Sequence, residues 1–328
     1  MRTAIPLTVL VTGLACSLFT APAQARARVF VASYGNDSNP CTFGSPCKTF
    51  QQAVNVVDPN GEVMAIDSAG FGPISITGKS ITITSPPGVE AGIVAPAVGG
   101  AAITINSVSK DTVIRLSGLT LDGANILNST GISFSGTGGN LTVRDCVIRN
   151  FGQDGIDFFP DGGGVLSVSN TVVSDNGNTG IAYYPSGAIS SEAFGSVILN
   201  RVEISNNRNY GFFLWGAHST PSNFNTVWLV AKVIESTVSG GGVAGVYVLT
   251  DNSHTGSVIH LFHSVVTGAK VGLRAEGNAG VYIANSMVIG NEKDWETPNG
   301  GGAVLSFGDN NIQYNSQTSG SPQLVPYE

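Results

Sequence analysis

A short phrase returns along this chain: an apolar/polar run, an Asn- or Gly-rich turn, a glycine, then another brief strand. It reads LTVRDCVIRNFGQDGIDFF from Leu141, LSVSNTVVSDNGNTGIAYY from Leu166, VILNRVEISNNRNYGFFLW from Val197 and VIHLFHSVVTGAKVGLRAE from Val258. The recurring glycine stands at 131, 155, 180, 211, 245 and 272, in steps of 24, 25, 31, 34 and 27 residues. Internal repetition at that period marks a solenoid. A strand this short cannot bury its apolar face alone. Stacked on its neighbours, it shares a continuous interior.

The residue after each glycine is Ile132, Ile156, Ile181, Phe212, Val246 and Leu273. All are large and apolar, so this position is expected to face inward. Strand alternation then turns the next one out: Ser133, Asp157, Ala182, Phe213, Tyr247 and Arg274. Two further on, the outward file is Ser135, Phe159, Tyr184, Trp215, Leu249 and Glu276. Asn150, Asn176, Asn206 and Asn207 fall in the turns, where Asn accepts left-handed backbone and bonds its neighbours. Stacked in successive coils, their side-chain amides are expected to satisfy one another.

The first coil needs a cover. Lys48 to Val57 carries apolar residues at 50, 53, 54 and 57, a helical period, with Pro46 before it and Asp58-Pro59-Asn60-Gly61 after it. The expected architecture is all-β, a parallel β-helix solenoid with a short N-terminal capping helix. Its predicted segments are 1–25, a signal peptide; 26–61, strand, Cys loop and helix; 62–315, the solenoid; and 316–328, a polar tail or loose cap.

Arg2, the apolar stretch Ile5 to Phe19 and Ala23-Gln24-Ala25 make the signal reading, with cleavage after Ala25 into a secreted or periplasmic space. The alternative is lipid attachment at Cys16. No later run has the length of a membrane helix. After cleavage, 14 basic and 22 acidic residues leave a net charge of −8. With 11% charged residues and no basic run, nucleic acid is not an expected partner. Cys41 and Cys47 flank a short loop, and a disulfide is expected there in an oxidising compartment. Cys146 lies in an alternating strand and reads as a small buried thiol.

The opening Val29-Phe-Val-Ala-Ser-Tyr-Gly-Asn-Asp-Ser-Asn-Pro, the Lys48-Thr-Phe-Gln-Gln-Ala helix and the repeated Asn-turn-Gly-Ile phrase carry a resemblance. Together they resemble the right-handed parallel β-helix proteins of the pectate-lyase-like superfamily, among them secreted bacterial proteins with no assigned activity. The likeness covers nearly all of the chain after residue 25. It is specific for the fold and poor for function, because the superfamily includes lyases, hydrolases, epimerases, tailspikes and adhesins. Its lyases hold Ca²⁺ on clustered acids and use Arg or Lys as base. This sequence shows no such acidic cluster. The Asn-Thr-Asp and Gly-His-Gly phrases and paired Asp of polygalacturonases are also absent. No cofactor is therefore assigned, and Ca²⁺ held by Asp157 and backbone carbonyls is the open alternative.

Phe159, Tyr184 and Trp215 are expected to form an aromatic ladder on one outer face, suited to the apolar faces of sugar rings. Phe213, Tyr247 and Arg274 flank it. Loops at 159–164, 184–195 and 215–225 follow directly, and they are expected either to cover the ladder or to wall it. With the next turn they hold Asp161, Glu192, His218, Asp251 and His254. Asp154 and Asp157 form the best local carboxylate pair for acid–base cleavage by a lyase or glycoside hydrolase, with His218 as a further candidate. The competing role for these Asp is bonding to turn amides. The expected partner is a polysaccharide or cell-surface glycan, bound at Phe159, Tyr184, Phe213, Trp215, Tyr247, Asp251, His254 and Arg274. The alternative is a non-enzymatic scaffold or adhesin.

Overall fold

The computed structural model of the protein describes residues 26–186, 195–216, 227–250 and 255–326. Its strands pair in parallel throughout the stack, so each rung lies on the one before. The rung at Val113–Ser117, Leu119–Asp122 and Thr130–Thr137 shows the plan. The first two strands of a rung join a long bent sheet, and the third joins a nine-stranded sheet. In that third sheet Ile74, Ile103, Ile132, Ile156, Ile181, Phe212, Val246, Leu273 and Trp295 pair as one file. The first eight are at most 2% exposed. The large apolar residue after each recurring glycine thus faces the interior. There Phe134, Phe158 and Tyr183 stack from rung to rung, with ring centroids 4.5 and 5.4 Å apart.

The bend between the first and second strands is a left-handed corner. It recurs at Gly118, Asp145, Asn170, Arg201, Glu235, His263 and Asn285, one per rung, with φ between 46° and 73°. Six of these seven are not glycine, although a side chain there carries a steric cost. Side chains offset it by bonding across rungs. Asn170 donates to Asp145 Oδ1 at 3.1 Å, Arg201 Nε to Asn170 Oδ1 at 2.8 Å, and Arg201 pairs with Glu235 at 3.6 Å.

Just past the corner, hydroxyls continue the ladder inside. The backbone amides of Cys146, Val202, Ser236 and Ser264 donate to the hydroxyls of Thr171, Ser236, Ser264 and Ser286. Cys146 is the buried thiol expected from its strand, and desolvation pushes its pKa up to about 11.

The turn asparagines divide into two roles rather than forming one stack. Asn150 and Asn206 take positive φ, 61° and 55°. Asn176 and Asn207 are the buried pair: Asn176 Nδ2 donates to Asn207 Oδ1 at 2.9 Å, and the Phe151 amide donates to Asn176 Oδ1. Asn291 and Asn315 repeat the arrangement near the other end.

The helix Phe50–Val56 covers the first rung. Thr49 caps it, its hydroxyl accepting from the Gln52 amide, and Phe50, Ala53 and Val54 are buried against the core. Gln51 bonds both backbone groups of Ser75, closing the edge of the third sheet. Cys41 and Cys47 form the disulfide. A loop this short restricts the unfolded chain by about 2 kcal/mol. A Cys41→Ser, Cys47→Ser double variant is expected to lose that much, read as a lower urea midpoint at unchanged slope.

At the far end, residues 316–319 hydrogen-bond to Asn291, Glu292 and Asp294, and Gln323–Leu324 pairs with Ala303–Ser306. No helix among the described residues is long and apolar enough to cross a membrane.

Candidate functional site

Because the strands of the third sheet stack in register, its outer face carries side chains in straight files. Ser133, Asp157, Ala182, Phe213, Tyr247, Arg274 and Glu296 pair as one file. Beside it Ser135 pairs with Phe159, and Trp215, Leu249 and Glu276 pair in turn. Tyr184 closes the second file, its ring 5.5 Å from Phe159 and 6.3 Å from Trp215. Phe213 stacks on Trp215 at 6.3 Å and on Tyr247 at 4.9 Å, while Tyr210 stacks on Phe213 at 5.0 Å. Phe159, Tyr184, Phe213 and Trp215 are half-buried, and Tyr247 is 6% exposed. Tyr210 belongs to the strip although alternation alone pointed elsewhere. It precedes the glycine on the same strand as Phe213, and its ring also meets Tyr247 of the next rung at 5.4 Å.

One end of the strip is acidic. Asp154 is buried and accepts from Asn178 Nδ2 at 2.8 Å and the Thr179 amide at 2.9 Å. Its carboxylate is thereby committed to the turn of the next rung. Asp157 lies on the same strand face as Phe159, with its Oδ1 buried and without a hydrogen-bond partner. Desolvation, and then the neighbouring Asp154 charge, push the Asp157 carboxyl up to about 6. Burial, and then the neighbouring Asp157 and Asp154 charges, drive the Tyr184 hydroxyl pKa upward.

The other end is an ion-paired network. Arg274 lies 4.9 Å over the Tyr247 ring and pairs with Glu296 at 2.7 Å and Glu276 at 3.2 Å. Tyr247 and Asn299 each donate to Glu276 at 2.7 Å, and Lys293 reaches Glu296 at 3.3 Å. Desolvation alone would raise Glu276. The donors Tyr247, Asn299 and Arg274 outweigh it and hold the group below the usual carboxylate range.

Paired carboxylates that cut a glycosidic bond stand roughly 5–9.5 Å apart. Asp161, four residues along the strand from Asp157, is about 13 Å away at strand rise. Glu276 is four rungs off, about 19 Å. Asp154 is near enough to be felt but is occupied by turn amides. Among the described residues no three His, Cys, Asp or Glu side chains gather as a metal-holding group. Glu192, His218, Asp251 and His254 lie outside the described residues. Clefts among the described residues lie beside Lys270 and Tyr314, at the capping helix and near Tyr282.

A family model described as a right-handed β-helix region matches residues 74–227. Among solved structures, a crystal structure of pectate lyase Pel9A is similar at a TM-score of 0.61 with 15% identity, over 90% of this chain and 78% of that one. ORF18 of Geobacillus virus E2 is similar at a TM-score of 0.50 with 12% identity, over 84% of this chain and 55% of that one. No protein of curated function matches the sequence. At such identities the likeness concerns the fold.

Proposed function

With a right-handed parallel β-helix of the pectate-lyase-like kind as the premise, we propose that the protein is secreted and binds a polysaccharide along the outer face of its third sheet. The observation that carries this reading is the register-matched strip of Phe159, Tyr184, Phe213 and Trp215, half-exposed on a rigid stack. Flat rings held by a rigid backbone offer contact area at little cost in conformational entropy. Rungs about 4.8 Å apart repeat that surface along the axis, which suits a repeating ligand. Export follows from the N-terminal segment and agrees with a disulfide at Cys41–Cys47.

Binding rather than turnover is favoured because Asp157 has no unoccupied carboxylate partner at cleavage distance among the described residues. The test is tryptophan fluorescence of the purified protein titrated with a panel of polysaccharides. A saturable change is expected with at least one of them. Trp215→Ala is expected to weaken it at least about tenfold, about 1.4 kcal/mol. Trp215→Phe, run alongside because Trp228 and Trp295 also emit, is expected to keep most of the affinity while losing the signal. A flat response across the panel, or equal affinity in Trp215→Ala, would overturn the reading and favour a scaffold that contacts proteins.

A further inference from the structure

Resting on that reading, we infer that the glycan is an uncharged chain, and that its contacts continue past the aromatic strip toward the N-terminus over a file of hydroxyls and an amide. Ser75, Thr104 and Ser133 pair in register and lead straight to Asp157. Alongside them Thr77, Asn106 and Ser135 lead to Phe159. Ser75, Thr77, Thr104 and Asn106 are exposed. Such groups both donate and accept without charge, as sugar hydroxyls require. From Ser75 to Arg274 the register advances seven rungs, about 34 Å, so stacking and hydrogen-bonding segments form one track along the axis.

Charge selects against a polyanion. The only cations on the strands of this sheet are Arg274 and Lys293, and each is ion-paired to glutamate. The loop sequences 187–194, 217–226 and 251–254 hold neither Lys nor Arg. Midway along the track stands Asp157, beside Asp154. A pectate-like chain would bring carboxylates against these acids and find its counter-charges already engaged, which costs desolvation without a compensating pair. The fold is thus shared with a pectate lyase while the charge on this face suits a neutral ligand.

The test is calorimetric titration of the purified protein with neutral glucan, mannan and xylan oligosaccharides of increasing length, and with polygalacturonate, at low and high salt. A neutral chain is expected to bind, more tightly as it lengthens, with little salt dependence, and polygalacturonate at least about tenfold more weakly. Asn106→Ala, an exposed site, is expected to lose several-fold in affinity for long chains and nothing for short ones that cover only the aromatic strip. Polygalacturonate binding as tightly as the neutral chains, or binding weakened by salt, would overturn the inference and leave the polysaccharide reading standing. An unchanged long-chain affinity in Asn106→Ala would overturn the N-terminal extension of the track. Absence of saturable binding by any chain would overturn the polysaccharide reading itself.

Discussion

Replacing Phe158 with Ala is expected to lower the unfolding free energy by about 3–5 kcal/mol, the range for emptying a buried aromatic site. Phe158 is fully buried and sits between Phe134 and Tyr183 in the interior stack. Both neighbours are held by their own rungs, so the cavity has little freedom to collapse. Its chain neighbour Phe159 points outward and is half-buried. Phe159→Ala should therefore cost about 1 kcal/mol or less, as a partly exposed aromatic contact does. Urea unfolding of the two variants compares the faces directly. Equal losses would contradict the alternation on which the outer strip depends.

Asp157→Asn is expected to stabilise the protein above neutral pH, contrary to the usual sign for a buried polar substitution. The folded pKa of about 6 lies above the ordinary value of 3.8. Between those values the folded state holds the proton more firmly than the unfolded chain. Stability from this group is therefore complete below about pH 4 and declines as pH rises to about 6. At 1.36 kcal/mol per unit the decline is at most about 3 kcal/mol. Asn keeps the shape but carries no charge. The variant should lose most of the slope between pH 4 and 6, with Asp154, also raised by burial, leaving a remainder. Above pH 7 it should exceed the parent by about 2 kcal/mol. Thermal unfolding followed from pH 4 to 8 checks this, and a variant with the parent's slope would show that Asp157 is not desolvated.

Both predictions concern adjacent residues that the sequence already assigned to opposite faces. Ile156 and Phe158 inward, Asp157 and Phe159 outward, follows from a period of two and needs no tertiary knowledge. The capping helix was equally legible, since 50, 53, 54 and 57 share one helical face. Asp154 was readable only as an alternative. Whether its carboxylate serves a bond-cleaving pair or a turn depends on Asn178 and Thr179, which belong to the next rung.

The bend of the long sheet shows the same boundary. Nothing local marks Arg201 or Glu235 for positive φ, because their own propensities oppose it. The corner is imposed by the rungs above and below, and it is stabilised by bonds such as Arg201 to Asn170. Tyr210 likewise meets Tyr247 of the next rung, its ring centroid 5.4 Å away, through the register between rungs. Rungs of unequal length stack with their strands aligned. Fixed spacing along the chain therefore says little about which side chains meet across rungs.

By itself the sequence determined the solenoid, its capped N-terminal end, the inward file and the outward aromatic residues, since each rests on a short periodicity within one rung. Tertiary structure alone decided that Arg274 and Lys293 pair with Glu276 and Glu296, and that Asp157 is desolvated. Those properties arise from distances between rungs, where register, rather than the order of residues along one strand, sets which charges meet.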